Sequence, residues 1–364
     1  MRRFTPVGLG LALVVALAVL PLLSIQVPGI LPGPTYTPGA LQLLALCMVY
    51  ASLALSYNLL LGTGGLLSFG HALYFGAGAY GLGILLERTD LSLWPAIGLT
   101  LVGAGAVAVL TGAVSLRVSG IPFAMVTLAF AQAGSVLVRR NPEGLTGGEE
   151  GLSLDTEHVP AALVGVVNTR NLYWLALAIV VVAYLVVLWI DRSRVGHVAA
   201  AARENELRVR ALGLQPYTAK LVVFVAGGLI ASLTGVMYLL LQSGTVPRAV
   251  GADLTITVLV MVVLGGVGSR WGAIVGGVIY TLLNQRLTLL AGSDAVDSLP
   301  AVLHVPLSEP MFILGALFIL VVLFVPGGIA GTTRRLTGRD RTRSGSAVLE
   351  AADQADDKVL EPQP

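Results

Sequence analysis

Residues 192–220 read RSRVGHVAAAARENELRVRALGLQPYTAK. No other long stretch between apolar runs is both charged and helix-patterned. On one side stands LYWLALAIVVVAYLVVLWI (172–190), on the other LVVFVAGGLIASLTGVMYLLL (221–241). Each flank is long enough to cross the roughly 30 Å hydrocarbon core of a bilayer. The charged stretch therefore lies at a membrane surface, and the rest of the chain is read outward from it.

The stretch itself predicts one amphipathic helix from about Gly196 to Leu212. Val195, Ala199, Ala202, Leu207, Ala211 and Leu212 fall near one side. Glu204–Arg208 and Glu206–Arg210 are spaced i, i+4 with the acid first, the better order for a helical ion pair. Gly213 suits the position after a helix end, and Pro216 blocks continuation. A helix lying on lipid favours bulky apolar and aromatic residues on its buried face. This face is thin and rich in alanine, which suits a rigid helix seated in a protein groove. The expectation is a helix that docks to a partner.

Outside that stretch the chain reads as membrane. It has 364 residues, 55% hydrophobic and 12% charged, about half the charge usual for a soluble domain. Apolar runs predict spans at about Gly8–Val27, Ala40–Leu61, Phe69–Leu86, Trp94–Leu116, Ile121–Val138, Leu172–Ile190, Leu221–Leu241, Leu254–Val267, Trp271–Leu290 and Pro310–Val325. The fold class is all-α, a polytopic transmembrane helical bundle of about ten spans. The count falls to nine or eight if the glycine-rich segment Gly62–Leu86 is re-entrant or if the short eighth run does not cross. Met1-Arg2-Arg3 before the first run resembles a signal peptide, but the run is long and no clear cleavage site follows, so an uncleaved span is expected. Residues 1–330 form one transmembrane domain, and 331–364 a disordered tail, basic first and then acidic.

Arginine placement orients the bundle. With the N-terminus inside, ten spans put 192–220, Arg117, Arg270 and the arginine-rich tail on the cytoplasmic side. The loop Arg139–Asn171 then falls outside, where Glu143, Glu149, Glu150, Asp155 and Glu157 offset its arginines. Both termini are expected in the cytoplasm.

Lipid gives helices no hydrophobic reason to associate, so close packing needs small residues. Gly272/Gly276, Gly227/Ala231/Gly235 and Ala104/Ala108/Gly112 supply small stripes, read first as bundle packing. Polar residues within spans are few: Tyr57, Asn58, Ser68, His71, Tyr74, Tyr80, Thr127, Gln132, Asn284 and Gln285. No Asp or Glu lies near a span centre, although ion-coupled transporters usually rely on such groups. No lysine follows a glycine in a P-loop pattern. Neither GxSxG nor HExxH occurs. The histidines at 71, 158, 197 and 304 are scattered, and Cys47 is alone, so no metal or disulfide site is indicated. A catalytic reading is poor, and no cofactor is expected. If the chain transports, its energy enters from outside.

Three stretches carry a family resemblance. The first is YNLLLG (57–62) with GLLSFGHA (65–72) and GAGAY (76–80). The second is LRVSGIPFAMVTLAF (116–130) with LTGG (145–148) after it. The third is ARENE (202–206) with ALG (211–213), KL (220–221) and VLGGVG (263–268). Together, in this order, they resemble the M-type permease of high-affinity branched-chain amino acid ABC importers, with related permeases serving urea and short amides. Leu66 departs from the glutamine frequent in the family, and Pro122 stands in a slot often aromatic, which leaves the substrate open between these classes.

The resemblance implies a permease subunit in a bacterial or archaeal plasma membrane. Its partners would be a second homologous permease, two cytoplasmic ATP-binding subunits and an extracytoplasmic solute-binding protein; nucleic acid is not expected. It implies that Ala202, Arg203, Glu204, Asn205, Glu206, Arg208, Arg210 and Gly213 form the helix coupled to an ATPase. Tyr57, Asn58, Ser68, His71, Tyr80, Thr127 and Gln132 are candidates for the translocation path. Thr146, Gly147, Gly148, Glu149 and Glu150 are candidates for contact with the binding protein, against the plain reading of a glycine-rich connector. The alternative of another class is an ion-coupled secondary transporter or facilitator, which would work without partner or ATP. A purely structural membrane subunit would show no substrate dependence.

Overall fold

The computed structural model describes residues 6–26, 31–291, 310–324 and 327–331. It is a helical bundle, with α1 (Pro6–Val19), α2 (Pro38–Asn58), α3 (His71–Arg88), α4 (Leu93–Ser115), α5 (Ile121–Arg140) and α6 (Thr169–Arg192). Two short helices follow, α7 (Arg194–Glu204) and α8 (Glu206–Ala211), then α9 (Pro216–Gln242), α10 (Ala252–Gly265), α11 (Arg270–Ala291) and α12 (Pro310–Phe324). Among the described residues the only strands are β1 (Leu152–Ser153) and β2 (Gly244–Thr245), paired antiparallel with Leu152 opposite Thr245.

Local chemistry explains the ends. Proline stands in the first turn of α2, α5 and α9, where its missing N–H costs nothing and its fixed φ is already helical. The C-terminal caps of α5 and α9, Asn141 and Ser243, are left-handed, a common helix stop. Pro21 lies in a 3-10 turn (Leu20–Leu22) that closes α1. The first apolar run is therefore a shorter helix than its hydropathy suggests, because proline lacks the N–H that the next turn needs.

α2 is the axis of the bundle. Most of its apolar window is inside the protein, 83% against 28% for α4. α3, α6, α9, α10 and α11 surround and contact it or one another, and the fully buried Tyr57, Phe75, Tyr173 and Phe224 fill the gaps. The small stripes do what small residues permit. α3 and α9 cross so closely that a Cβ on Gly235 would strike the carbonyl of Phe75 and one on Gly78 that of Ser232. Gly272 and Gly276 meet α10 at Gly265 and Met261, and Gly112 meets Phe224.

Among the described residues, five stretches are individually long and apolar enough to span: Pro38–Thr63, Leu93–Ser115, Ile121–Arg140, Val166–Arg192 and Pro216–Gln242. A sixth exists if α10 and α11, bent by 119° at their junction, form one broken span. Among the described residues, the ten separate crossings expected from hydropathy are thus not all matched by helices of full length. α10 has 14 residues, about 21 Å at 1.5 Å per residue, short of a roughly 30 Å core. α12 has 15 residues and α3 is rich in glycine. The expected tail, the loop 292–309 and Met1–Arg3 lie outside the described residues.

Contacts that tie helix ends together fall into two sets. One end holds Gln42–Gln242 at 3.3 Å, Arg88 to the Gly144 carbonyl at 3.1 Å, Tyr173 to the Leu17 carbonyl at 2.7 Å and the β1–β2 pair. The other end holds Thr63–Asp191 at 2.7 Å, Arg270–Asp191 at 3.0 Å, the Gly268 N–H to Asn58 at 2.8 Å and Tyr217 to the Ala113 carbonyl at 2.9 Å.

Candidate functional site

The charged stretch folds as two helices, which corrects the single helix expected over 196–212. Asn205 is extended (φ −156°, ψ 103°) and ends α7. Its side-chain oxygen then accepts from the Arg208 N–H at 3.0 Å and starts α8. Asparagine is among the best N-caps, so the residue that breaks the helix also begins the next one. The break takes Glu204 and Arg208 out of register, and they form no ion pair among the described residues. Glu206–Arg210 does form, at 2.7 Å. The stop near Gly213 is as expected, with that glycine at φ +76°.

The alanine face turns inward, and the expectation that it meets a partner is corrected with it. Gly196, Ala199 and Ala202 are buried against this chain's own helices, chiefly α9 and α6. Small side chains allow that approach: a Cβ on Gly196 would strike the Ile190 carbonyl. What is offered outward is leucine and charge. Leu207 and Leu212 are each 77% exposed, with Arg203, Glu204, Asn205, Arg208, Arg210 and Gly213 also exposed around them.

Two fastenings hold this surface to the bundle. The Arg203 guanidinium donates to the Gly62 carbonyl, and its stem lies over Gly65, where a Cβ would come within 2.6 Å of Arg203 Cγ. Glu206 accepts from Lys220 and Arg210, both at 2.7 Å. The Lys220 ammonium, with Arg210 adding to it, holds the Glu206 carboxyl below the usual carboxylate range.

Arg203 reaches an irregular part of the bundle. α2 ends in a π-helical turn, Leu59–Thr63, followed by a non-helical stretch to Gly70. π-turns are rare and concentrate at functional positions. Just beyond lies a buried polar seam. Tyr57 donates to the Ser68 carbonyl at 2.9 Å, and Ser56 Oγ meets His71 Nε2 at 2.8 Å. Tyr74 meets Thr111 at 2.6 Å. Thr127 accepts from the Phe69 N–H at 3.1 Å, and Thr255 from the Ala72 N–H at 3.0 Å. His71 is fully buried, and its Nδ1 has no hydrogen-bond partner among the described residues.

Of the path candidates, Tyr57, Asn58, Ser68, His71 and Thr127 are all buried at the irregular end of α2 and the start of α3. Tyr80 lies apart in a small cluster with Val138, Leu152 and Val250, its hydroxyl without a partner among the described residues. Gln132 is exposed on α5. The sequence reading missed Ser56, Thr63, Thr111, Asp191 and Thr255, and used Arg270 only to orient the bundle. Asp191 carried a usable signal, a carboxylate ending an apolar run. The hydroxyls carried none, since Ser and Thr often only bond their own helix.

At the opposite end, Asn141 Oδ1 accepts from the N–H groups of Thr146 and Gly147 at 2.7 and 3.1 Å, and Thr146 Oγ1 donates to the Val138 carbonyl at 2.6 Å. Thr146 and Gly148 are buried in this turn, whereas Glu149 and Glu150 are exposed. Arg139 approaches Glu149 at 3.8 Å. No three potential metal ligands gather among the described residues.

A family model described as "Branched-chain amino acid transport system / permease component" matches residues 39–322. The high-affinity branched-chain amino acid transport system permease protein LivM of Salmonella typhimurium is 27% identical over 86% of this chain and 74% of its own length. The protein of the same name from Escherichia coli is 27% identical over 81% and 71%. The permease protein LivH of Escherichia coli is 25% identical over 78% and 91%. No solved structure matches.

Proposed function

This chain belongs to the family of branched-chain amino acid transport system permease components, and from that premise we propose that it carries branched-chain or other hydrophobic amino acids inward as the transmembrane subunit of an ABC importer. Separate ATP-binding subunits supply the energy, a second homologous permease completes the pore, and an extracytoplasmic binding protein delivers the substrate. The membrane is the plasma membrane of a bacterium or archaeon, with both termini in the cytoplasm. The observation that carries the reading is the α7–α8 pair. It is the surface that combines exposed leucines with a side-chain fastening to the irregular end of α2. The two sets of end contacts support the sidedness, since each joins only segments that alternating spans would put on one side. The coupling residues are Ala202, Arg203, Glu204, Asn205, Glu206, Arg208, Arg210 and Gly213. The two leucines form the contact, and Ala202 serves as inward packing.

The buried seam of Tyr57, Asn58, Ser68, His71 and Thr127 belongs to a closed path that opens when α2 and α3 shift. Glu149 and Glu150 meet the binding protein, with Thr146, Gly147 and Gly148 shaping the turn that presents them. Leu66 and Pro122, the departures noted above, leave urea or short amides open as a second substrate class.

The test is uptake of labelled leucine into proteoliposomes holding the full complex, with urea and acetamide as competitors. ATP-dependent uptake is expected, lost with ATP hydrolysis retained when Glu204–Arg210 is replaced by a Gly/Ser linker. Uptake by the lone chain without ATP, or uptake that survives the replacement, refutes the coupling role.

A further inference from the structure

We propose that the cavity between α8, the α4–α5 turn and the start of α9 is a binding site for an anionic phospholipid of the adjoining leaflet. The cavity measures about 530 Å3. Its polar wall carries Arg117, Arg210, Lys220 and Glu206, three cations against one carboxylate. That carboxylate is already taken by Lys220 and Arg210. Arg117 is exposed, and its guanidinium has no hydrogen-bond or ion partner among the described residues. A net positive wall with one uncommitted arginine suits a headgroup phosphate, which arginine receives with a planar fork of donors.

The opposite wall is apolar, with Leu67, Ile121 and Met125 lining the cavity. It does not end there. Ile121 and Met125 are strongly exposed, and Val136 lies further along the same face of α5, beyond the exposed Gln132. A cavity that joins a cationic wall to exposed apolar residues matches the phosphate and the acyl chains of one diacyl lipid, whereas a small soluble anion would use only the first wall. Basic pockets between helices at the cytoplasmic surface are a recurrent form of headgroup recognition.

The assignment of this leaflet as the inner one rests on the sidedness proposed above; the binding itself does not, and the test involves no transport. The purified full chain in detergent is titrated with phosphatidylglycerol or phosphatidylcholine and read by native mass spectrometry. Phosphatidylglycerol is expected to be retained preferentially, and Arg117→Gln to weaken it about fivefold, the effect of one basic residue at an anionic surface. Arg140→Gln, the same change at the other end of α5, leaves retention unchanged. A photo-crosslinker at Ile121 in membranes forms lipid adducts. Equal retention of both lipids, equal loss in the two variants, displacement by inorganic phosphate alone, or a crosslink to a second permease instead of lipid each overturns the proposal.

Discussion

Arg203 donates its guanidinium to the carbonyl of Gly62, across a bundle end that separates them by most of a domain in sequence. The contact joins a surface helix to the π-turn that ends α2. A push on α7 therefore has a direct route to the segment from Leu59 to Gly70, beyond which the buried polar seam begins. Replacing Arg203 with Ala removes both the donor and the stem over Gly65. In the reconstituted complex we expect ATP hydrolysis to persist while uptake per ATP falls at least several-fold. Gly65→Ala tests the same contact from the other side, since its φ of +65° and the nearby Arg203 stem both oppose a side chain. A full-rate transporter with either change would separate the contact from coupling.

Leu207 and Leu212 are each largely exposed on the outer side of α8 and its C-terminal turn. Leu207→Asp together with Leu212→Asp costs nothing inside the bundle, so folding yield and thermal stability stay unchanged. Binding of the ATPase subunits, measured by co-purification, is expected to drop by an order of magnitude or more, as burying an unpaired charge in an interface costs several kcal/mol.

Asn205 both stops α7 and caps α8. Asn205→Ala forfeits the cap, about 1 kcal/mol of local helix stability, and leaves the first turn of α8 frayed. Faster amide exchange over 206–212, with exchange in α9 unchanged, is the expected result. Asn205→Asp retains a capping oxygen and is expected to restore slow exchange.

Glu206 gives this region a pH signature. Lys220 and Arg210 hold its carboxyl below the ordinary range, so the folded state binds this proton less readily than the unfolded chain. Its stabilisation is complete above the unfolded carboxylate value, about 4.3, and is lost as pH falls through the lower folded value. The pair is partly solvated, so the effect is under about 1 kcal/mol. Amide exchange over 206–212 in wild type and in Glu206→Gln is expected to differ at pH 6 to 7 and to converge in acid. Convergence at high pH instead would reverse the assignment.

Glycine positions separate packing from composition. Gly235→Ala drives a methyl group into the Phe75 carbonyl at the α3–α9 crossing, and over-packing of that kind costs about 1–3 kcal/mol or more. Gly103, in α4, has nothing near its missing side chain, and Gly103→Ala is expected to be neutral or slightly stabilising because alanine is the better helix former. Detergent-solubilised thermal unfolding reads both, with a loss only in the first.

The amino-acid sequence by itself determined that this is a helical membrane chain, roughly where its apolar runs begin and end, and that residues 192–220 lie at a surface. Those properties are local sums of hydropathy, proline and glycine placement, and a short window contains all the physics they need. Family membership was equally legible, through motifs spread in order along the chain. Tertiary structure alone decided which face of the surface helices looks outward. The thin alanine face reads like a docking strip, yet Ala199 and Ala202 pack on their own bundle. In isolation, a helix does not specify whether its small side is needed for close approach to a neighbour already in the chain. Asn205 shows the same limit: its cap bond competes with continuation of the helix, and the outcome depends on where Arg203 and Glu206 are tethered on either side. The buried seam was half legible, because tyrosine and histidine stand out in an apolar run whereas Ser56 and Thr255 gain meaning only from partners far away in sequence.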